Sequence, residues 1–326
     1  MKSQTQKPKL LFIVGPTAAG KSDFAVELAE KLQDREGRPY EIINGDSVQF
    51  FTGVDIGAAK PSVELISRIP HHLVGHLPLG ATYTAGDFRR DALKIILGSG
   101  EEKQTQFIVV GGSGFYLLAL EKGMYDVPKA SEEIKIQLED DLRHLGLPAL
   151  YNELKKRDPE AIHKIMPADQ YRILRSLEVL RSAPPGATLT KIREEFERKR
   201  PPSPFVVNKI GLKCERSVLR LRVEKRTKEM LTRGLIDEVK ELRFQGLADW
   251  GPLSSVGYRE VQNMLNGELS ESELESAIVT STMQLAKRQM TWFKKDKLIH
   301  WCDSGNGIAE PLSEALTLPW WENKLP

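Results

Sequence analysis

Eight residues near the start of the chain, Gly15-Pro16-Thr17-Ala18-Ala19-Gly20-Lys21-Ser22, carry the spacing G-x-x-x-x-G-K-[ST] that cradles phosphates. In such a loop the backbone amides and the N-terminus of the following helix present partial positive charge. Lys21 then reaches terminal phosphate oxygens, and the Ser22 hydroxyl can hold Mg²⁺. A bound di- or triphosphate group is implied, but hydrolysis is not. A kinase or ATPase needs an apolar strand ending in an acid to orient the metal's waters. The apolar run Gln106 to Val110 ends instead in Gly111-Gly112-Ser113-Gly114. The acid that directly follows a strand-like run is Asp46, in the stretch IINGDSVQFF from Ile42 to Phe51, and Asn44-Gly45 interrupt its apolar approach. Three tasks stand open for Asp46: metal ligand, catalytic base, or turn former.

The elements that would position these groups follow from the apolar pattern. Lys9 to Val14 (KLLFIV) reads as a buried strand ended by Gly-Pro, and Phe24, Ala25, Leu28 and Leu32 share one face of a helix after it. Glu41 to Asn44 and Gln106 to Val110 read as further strands. Strands alternating with helices and stopping at glycine-rich loops predict an α/β fold, a parallel sheet with helices on both faces. From Asp126 to Phe205 the texture is helical, bracketed by Val127-Pro128 and Pro201-Pro202-Ser203-Pro204. That segment, residues 126–205, is expected to be a helical insertion between core segments 1–125 and 206–326. Phe205 to Lys213 reads as a strand returning to the sheet, and the chain is mostly helical from there to Lys297. Whether the final PWWENKLP packs or trails is open.

Composition narrows the class. The 326 residues can bury a sizeable core. Two cysteines, Cys214 and Cys302, lie far apart without a CxxC pair, which fits a reducing cytoplasm and indicates neither a disulfide scaffold nor a zinc site. No apolar run approaches the roughly 20 residues that span a bilayer, so no membrane partner is expected. The formal net charge of +2 says nothing about nucleic acid by itself. Basic residues do cluster at Lys191 to Arg200, Arg216 to Arg233 and Lys287 to Lys297, the last interleaved with Trp292 and Phe293. Solvated helix faces account for most such clusters.

Seven motifs in order, GPTAAGKS, GDSVQFF, GVDIGAAKP, AGDFRR, GGSGFY, SVGYRE and LAKRQMTW, resemble those of the bacterial tRNA dimethylallyltransferase (isopentenyl-tRNA transferase) family, from Gly15 to Trp292. The resemblance implies a P-loop NTPase-like core and transfer of a dimethylallyl group from dimethylallyl diphosphate to the N6 amine of the adenosine 3′ of a tRNA anticodon. Diphosphate would be the leaving group in the Gly15 to Ser22 cradle. The resemblance assigns Asp46 as the base, Arg226 (in RVEKR) as an arginine on the departing diphosphate, and Ser113 as a hydroxyl beside it. An exocyclic adenine amine is a poor nucleophile, because its lone pair is delocalised, so a carboxylate accepting its N–H suits the task. The target base must leave its stack to react. For RNA contact, the resemblance points to Asp46, Ser47, Val48 and Gln49; to Tyr171, Arg172, Ile173, Leu174 and Arg175; to Ser255, Val256, Gly257, Tyr258 and Arg259; and to Lys287, Arg288 and Gln289. Mg²⁺ at Ser22 is the cofactor expected, with a monomer as the working unit.

Three residues depart from the family pattern: Ser113 replaces a common threonine, Phe51 a frequent tyrosine, and Ala58 a threonine. His71, His72 and His76 lack acidic or cysteine companions at ligand spacing and read as a polar loop rather than a metal site. Asp87, Arg89 and Arg90 read as ion pairs capping a helix. A P-loop kinase, an isopentenyltransferase acting on free adenine nucleotide, and a non-catalytic tRNA-binding protein are the competing readings. The first lacks the strand-end acid, and the second is short in the RNA-binding parts. The third has no use for Asp46, Lys21 and Ser22 together.

Overall fold

The computed structural model describes residues 7–98, 105–125, 127 and 130–321. Asp126 and Pro128 at the expected insertion boundary, and the last five residues of the tail, lie outside the described residues. The chain divides into two compact units, one formed by Met1–Glu121 with Ser203–Pro326 and the other by Lys122–Pro202.

The first unit is built on a parallel sheet of β1 (Lys9–Val14), β2 (Tyr40–Asn44), β3 (His71–His72), β4 (Gln106–Val110), β5 (Val206–Lys213) and β6 (Ile299–Asp303), in the order β3-β2-β4-β1-β5-β6 among the described residues. Successive side chains on a strand point to opposite faces, and here both faces are covered. On β1, Leu10, Phe12 and Val14 enter one core while Leu11 and Ile13 enter the other, and β4 divides Phe107 and Val109 from Ile108 and Val110 in the same way. Helix α1 (Lys21–Glu36) buries Phe24, Ala25, Leu28 and Leu32 on the second face. The first face takes Phe88 of α3 (Ala85–Gly98; α2 is the short Val63–Arg68), Leu117 of α4 (Gly114–Lys122) and residues of the helices between β5 and β6 described below, while the last helix, Ala309–Thr317, adds Ala315 to the second face.

The second unit holds α5 (Glu132–Leu145), α6 (Leu147–Arg157), α7 (Gln170–Ser182) and α8 (Leu189–Lys199) around its own core of Leu138, Leu150, Leu154, Ile173, Leu177 and Leu180. Inside it, the buried Asp158 carboxylate accepts from Ala161 N and from the backbone and hydroxyl of Thr190, fixing the turn before α7 to the start of α8.

After β5 the first unit continues with α9 (Arg216–Thr232), α10 (Leu235–Phe244), α11 (Tyr258–Leu265), α12 (Glu271–Phe293) and, beyond β6, α13 (Ala309–Thr317). Two strands escape the sequence pattern. β3 is the histidine pair expected in a loop; its Nδ1 and Nε2 atoms meet Ile69 O at 2.7 Å and Glu41 Oε2 at 2.6 Å. β6 carries polar His300 and Asp303 and pairs only with β5, so it shows no clean apolar run. Asp87 does cap α3, accepting from Thr84 N at 3.0 Å and pairing with Arg90 at 2.7 Å.

Candidate active site

Three adjacent strands end at the same level. Asn44 of β2 stands opposite Val110 of β4, and Val110 opposite Ile13 of β1. The loops that follow them are GPTAAGKS, GDS and GGSG, so the crevice beyond the carboxyl ends of the strands gathers all three. Close backbone approach selects their glycines: a Cβ on Gly111 would strike the Gly45 carbonyl, and one on Gly112 the Gln289 amide.

A cavity of about 690 Å³ opens there. Its wall includes Thr17, Ala18, Gly20, Lys21 and Ser22 of the phosphate loop, Asp46 and Gln49, the loop from Ile56 to Ser62, and Arg222, Lys225, Arg226 and Arg233 on or just after α9. Cations outnumber carboxylates, which fits an anionic ligand. Lys21 Nζ donates to Pro16 O at 2.8 Å. Burial pulls its amine down to about 8, with the Asp46 carboxylate opposing the shift and the Arg226 guanidinium adding to it. Burial likewise lowers Arg226, again opposed by Asp46. Lys21, Asp46 and Arg226 therefore form one electrostatic cluster. Arg226 makes no ion pair with Glu224, which pairs with Arg220 at 2.8 Å; instead its Nη1 donates to Thr17 Oγ1 at 3.2 Å.

Asp46 is both a turn former and a cavity carboxylate. Its Oδ1 accepts from Val48 N at 3.2 Å, while its own N–H is held by Asn44 Oδ1 at 2.9 Å. Asn44 is buried and also donates to Leu73 O at 2.9 Å, which fixes the backbone just before the acid.

Several expected site residues lie off the cavity or are engaged within the protein. Ser113 does not line the cavity; its Oγ accepts from Ser47 N at 3.1 Å and donates to Ser47 Oγ at 3.2 Å, joining the GGSG and GDS loops. Gln49 gives its amide to Ala58 O and Ala59 O, both at 3.1 Å. Val48 packs against the core. Ile173 and Tyr258, expected to face RNA, have fully buried side chains and act in packing. In the second unit, Tyr171, Arg172 and Arg175 are exposed on α7, with Arg172 paired to Asp169 and Arg175 to Glu178, while Leu174 leans on the core. Lys287 and Arg288 are exposed on α12. Arg259 is exposed beside Glu260, Val256 is half-buried, the Ser255 hydroxyl is spent on Pro252 O, and Gly257 N is held by Glu260 at 2.7 Å.

Glu238 on α10 carries no motif, yet it holds the cavity wall. Its Oε2 accepts from Asp55 N at 3.0 Å and Ile56 N at 2.9 Å, and its Oε1 from Gly57 N at 3.2 Å and Tyr258 OH at 2.6 Å. Tyr258 OH in turn accepts from Ala58 N at 3.1 Å. Lys60 lies in the GVDIGAAKP motif, and Arg222 and Arg233 in the basic run from Arg216 to Arg233, but an amphipathic charge pattern does not say which charges of that run face a distant loop. Among the described residues, a group of potential metal donors appears away from this site, at His300, Cys302 and Glu314. No helix of the described residues is long and apolar enough to cross a membrane.

Comparison with known proteins adds to this geometry. A family model described as IPP transferase matches residues 49–296, a span that begins just after Asp46. A tRNA dimethylallyltransferase of Bdellovibrio bacteriovorus is 44% identical over 93% of this chain and 96% of its own length. One from Geobacter sulfurreducens is 37% identical over 91% and 92%. Among solved structures, the full-length tRNA isopentenylpyrophosphate transferase of Bacillus halodurans superposes with a TM-score of 0.66 at 32% identity, covering 95% of this chain and 96% of that one. A eukaryotic dimethylallyltransferase acting on tRNA shares the fold with a TM-score of 0.77 at 24% identity, covering 98% and 80%.

Proposed function

The chain belongs to the IPP transferase family, and from that premise we propose that it is a tRNA dimethylallyltransferase. It moves a dimethylallyl group from dimethylallyl diphosphate to the N6 amine of the adenosine 3′ of the anticodon, position 37, and releases diphosphate. The observation that carries this reading is a single cavity lined by both a phosphate cradle and the Asp46 carboxylate, with Lys21 under the field of Asp46 and Arg226.

The cradle takes the diphosphate. Lys21, Arg226 and the amides leading into α1 stabilise the charge that grows on it as the C1–O bond breaks, usually the largest catalytic contribution. Asp46 accepts the N–H of the amine, which sharpens the nucleophile and takes the proton as the N6–C1 bond forms. The donors at this end of the cavity are oxygens, the Ser22 hydroxyl and the Asp23 and Asp46 carboxylates, a set that suits Mg²⁺. Ser22 would hold the ion, which when bound supplies neutralising charge to the diphosphate. Exposed Lys287 and Arg288 on α12, and Tyr171, Arg172 and Arg175 on α7, offer the cations and stacking plane that loop RNA requires. The working unit proposed is a monomer, and a tRNA substrate supports a cytoplasmic enzyme.

A kinase reading is disfavoured because β4 runs into Gly111 and Gly112 with no acid to order a metal's waters. The test is transfer of labelled dimethylallyl from its diphosphate to unmodified tRNA, with AMP and ATP as competing acceptors. Label on the tRNA at position 37 supports the proposal; label on AMP alone overturns it.

A further inference from the structure

Gln289 lies 272 residues from Thr17 in sequence, yet its Oε1 accepts from Thr17 N at 2.8 Å, while its Nε2 donates to Gly112 O at 3.2 Å. Both ends of one amide are therefore used, on two different loops of the site. Thr17 is a phosphate-loop residue, and its hydroxyl is also held by Arg226. Gly112 precedes Ser113, whose hydroxyl grips Ser47, the residue beside Asp46. Thr17, Gln289, Gly112, Ser113 and Ser47 thus form a continuous bracket from the cradle to the carboxylate. The fit at its centre is tight, because any side chain at Gly112 would occupy the place of the Gln289 amide. One turn further along α12, Trp292 closes on Gly114 just as tightly.

We propose that Gln289 is a positioning residue that sets the separation between the diphosphate cradle and Asp46, and that its side chain is not a reader of RNA. This rests on the prenyl-transfer reading above. Thr17 N–H points at Gln289, which leaves that amide to the protein and the remaining loop amides to the diphosphate. A helix whose exposed face carries Lys287 and Arg288 thereby pins two catalytic loops with its half-buried side.

The test uses Gln289→Glu and Gln289→Met in the full chain, with single-turnover transfer to an anticodon stem-loop and its KM measured against pH. At neutral pH the glutamate keeps an acceptor for Thr17 N but sets a second acceptor against Gly112 O. A protonated carboxyl carries one O–H donor and a carbonyl acceptor, which restores the amide pattern. The expected result for Gln289→Glu is a rate roughly 10- to 100-fold below wild type at pH 7.5, the scale of a small misplacement of reacting groups. The KM for the stem-loop stays within about twofold, and the ratio to wild type recovers as the pH is lowered toward 5.5. Gln289→Met loses the rate to a similar extent without that recovery. A raised KM for RNA with an unchanged single-turnover rate in both variants overturns the proposal, as does loss in Gln289→Glu that pH does not touch. Wild-type protein that transfers nothing to tRNA overturns the underlying reading instead, while direct titration of each variant with inorganic diphosphate still reports on the cradle.

Discussion

Replacing Asp46 by asparagine separates its two roles. The asparagine would keep a carbonyl oxygen for Val48 N, so the turn that Oδ1 now closes at 3.2 Å survives, while the basic oxygen and the negative charge disappear. Loss of a general base lowers a rate by about 10²- to 10⁴-fold, which is roughly 3 to 5 kcal/mol of barrier. A second effect travels through Lys21. Burial lowers its amine to about 8 and the Asp46 carboxylate is the leading charge that holds it up, so Asp46→Asn pushes it lower still. A lower free lysine weakens the cradle's hold on the diphosphate and would confound the base effect at limiting ligand. The assay is therefore single-turnover transfer at pH 6.5 with saturating dimethylallyl diphosphate, whose bound anion favours the protonated Lys21. A rate within about threefold of wild type would refute the base assignment, because it falls far short of the usual contribution. A loss seen only at limiting dimethylallyl diphosphate and absent at saturation would refute it too, by showing that Asp46 acts only through Lys21.

Diphosphate affinity is expected to be flat below pH 8 and to weaken above it, by up to about tenfold per pH unit. The free lysine loses its proton near 8 while the bound one, facing an anion, keeps it, and proton uptake by calorimetry in two buffers at pH 8.5 checks the sign. Glu238→Gln turns an amide toward groups that all donate, so it should lower stability by about 1 to 3 kcal/mol, seen as a lower melting temperature, and expose residues 55–60 to protease. In the helical unit, Ile173→Ala should cost about 2 to 5 kcal/mol, seen in denaturant melts, whereas exposed Tyr171→Ala should spare stability and raise the KM for tRNA.

Much of this architecture is legible in local pattern. KLLFIV from Lys9 to Val14 is β1, QFIVV is β4, and the apolar face of Phe24, Ala25, Leu28 and Leu32 lies where its helical spacing places it. These elements announce themselves because burial on both faces leaves no room for polar interruption. β3 and β6 do not, since an edge strand with one neighbour tolerates His71, His72, His300 and Asp303. At the site, the phosphate loop and Asp46 are readable because their chemistry is carried by contiguous residues. Glu238 and the bridge made by Gln289 depend on partners about 180 and 270 residues away, and no local spacing encodes them. The same limit explains Tyr258 and Ile173, whose polar neighbours suggest an outer face that the packing denies. Ser113 belongs with them: its hydroxyl looks available for a ligand until Ser47 is found against it.

The discontinuous first unit governs how the chain can be made. Strand β1 lies between β4 and β5, and β5 begins at Val206, so a ribosome must synthesise the whole helical unit before β1 acquires its second neighbour. During that interval one backbone edge of an apolar strand waits unpaired, a state prone to wrong association. The intervening helices have an interior of their own and can condense meanwhile, and the nascent sheet remains open until the final third of translation.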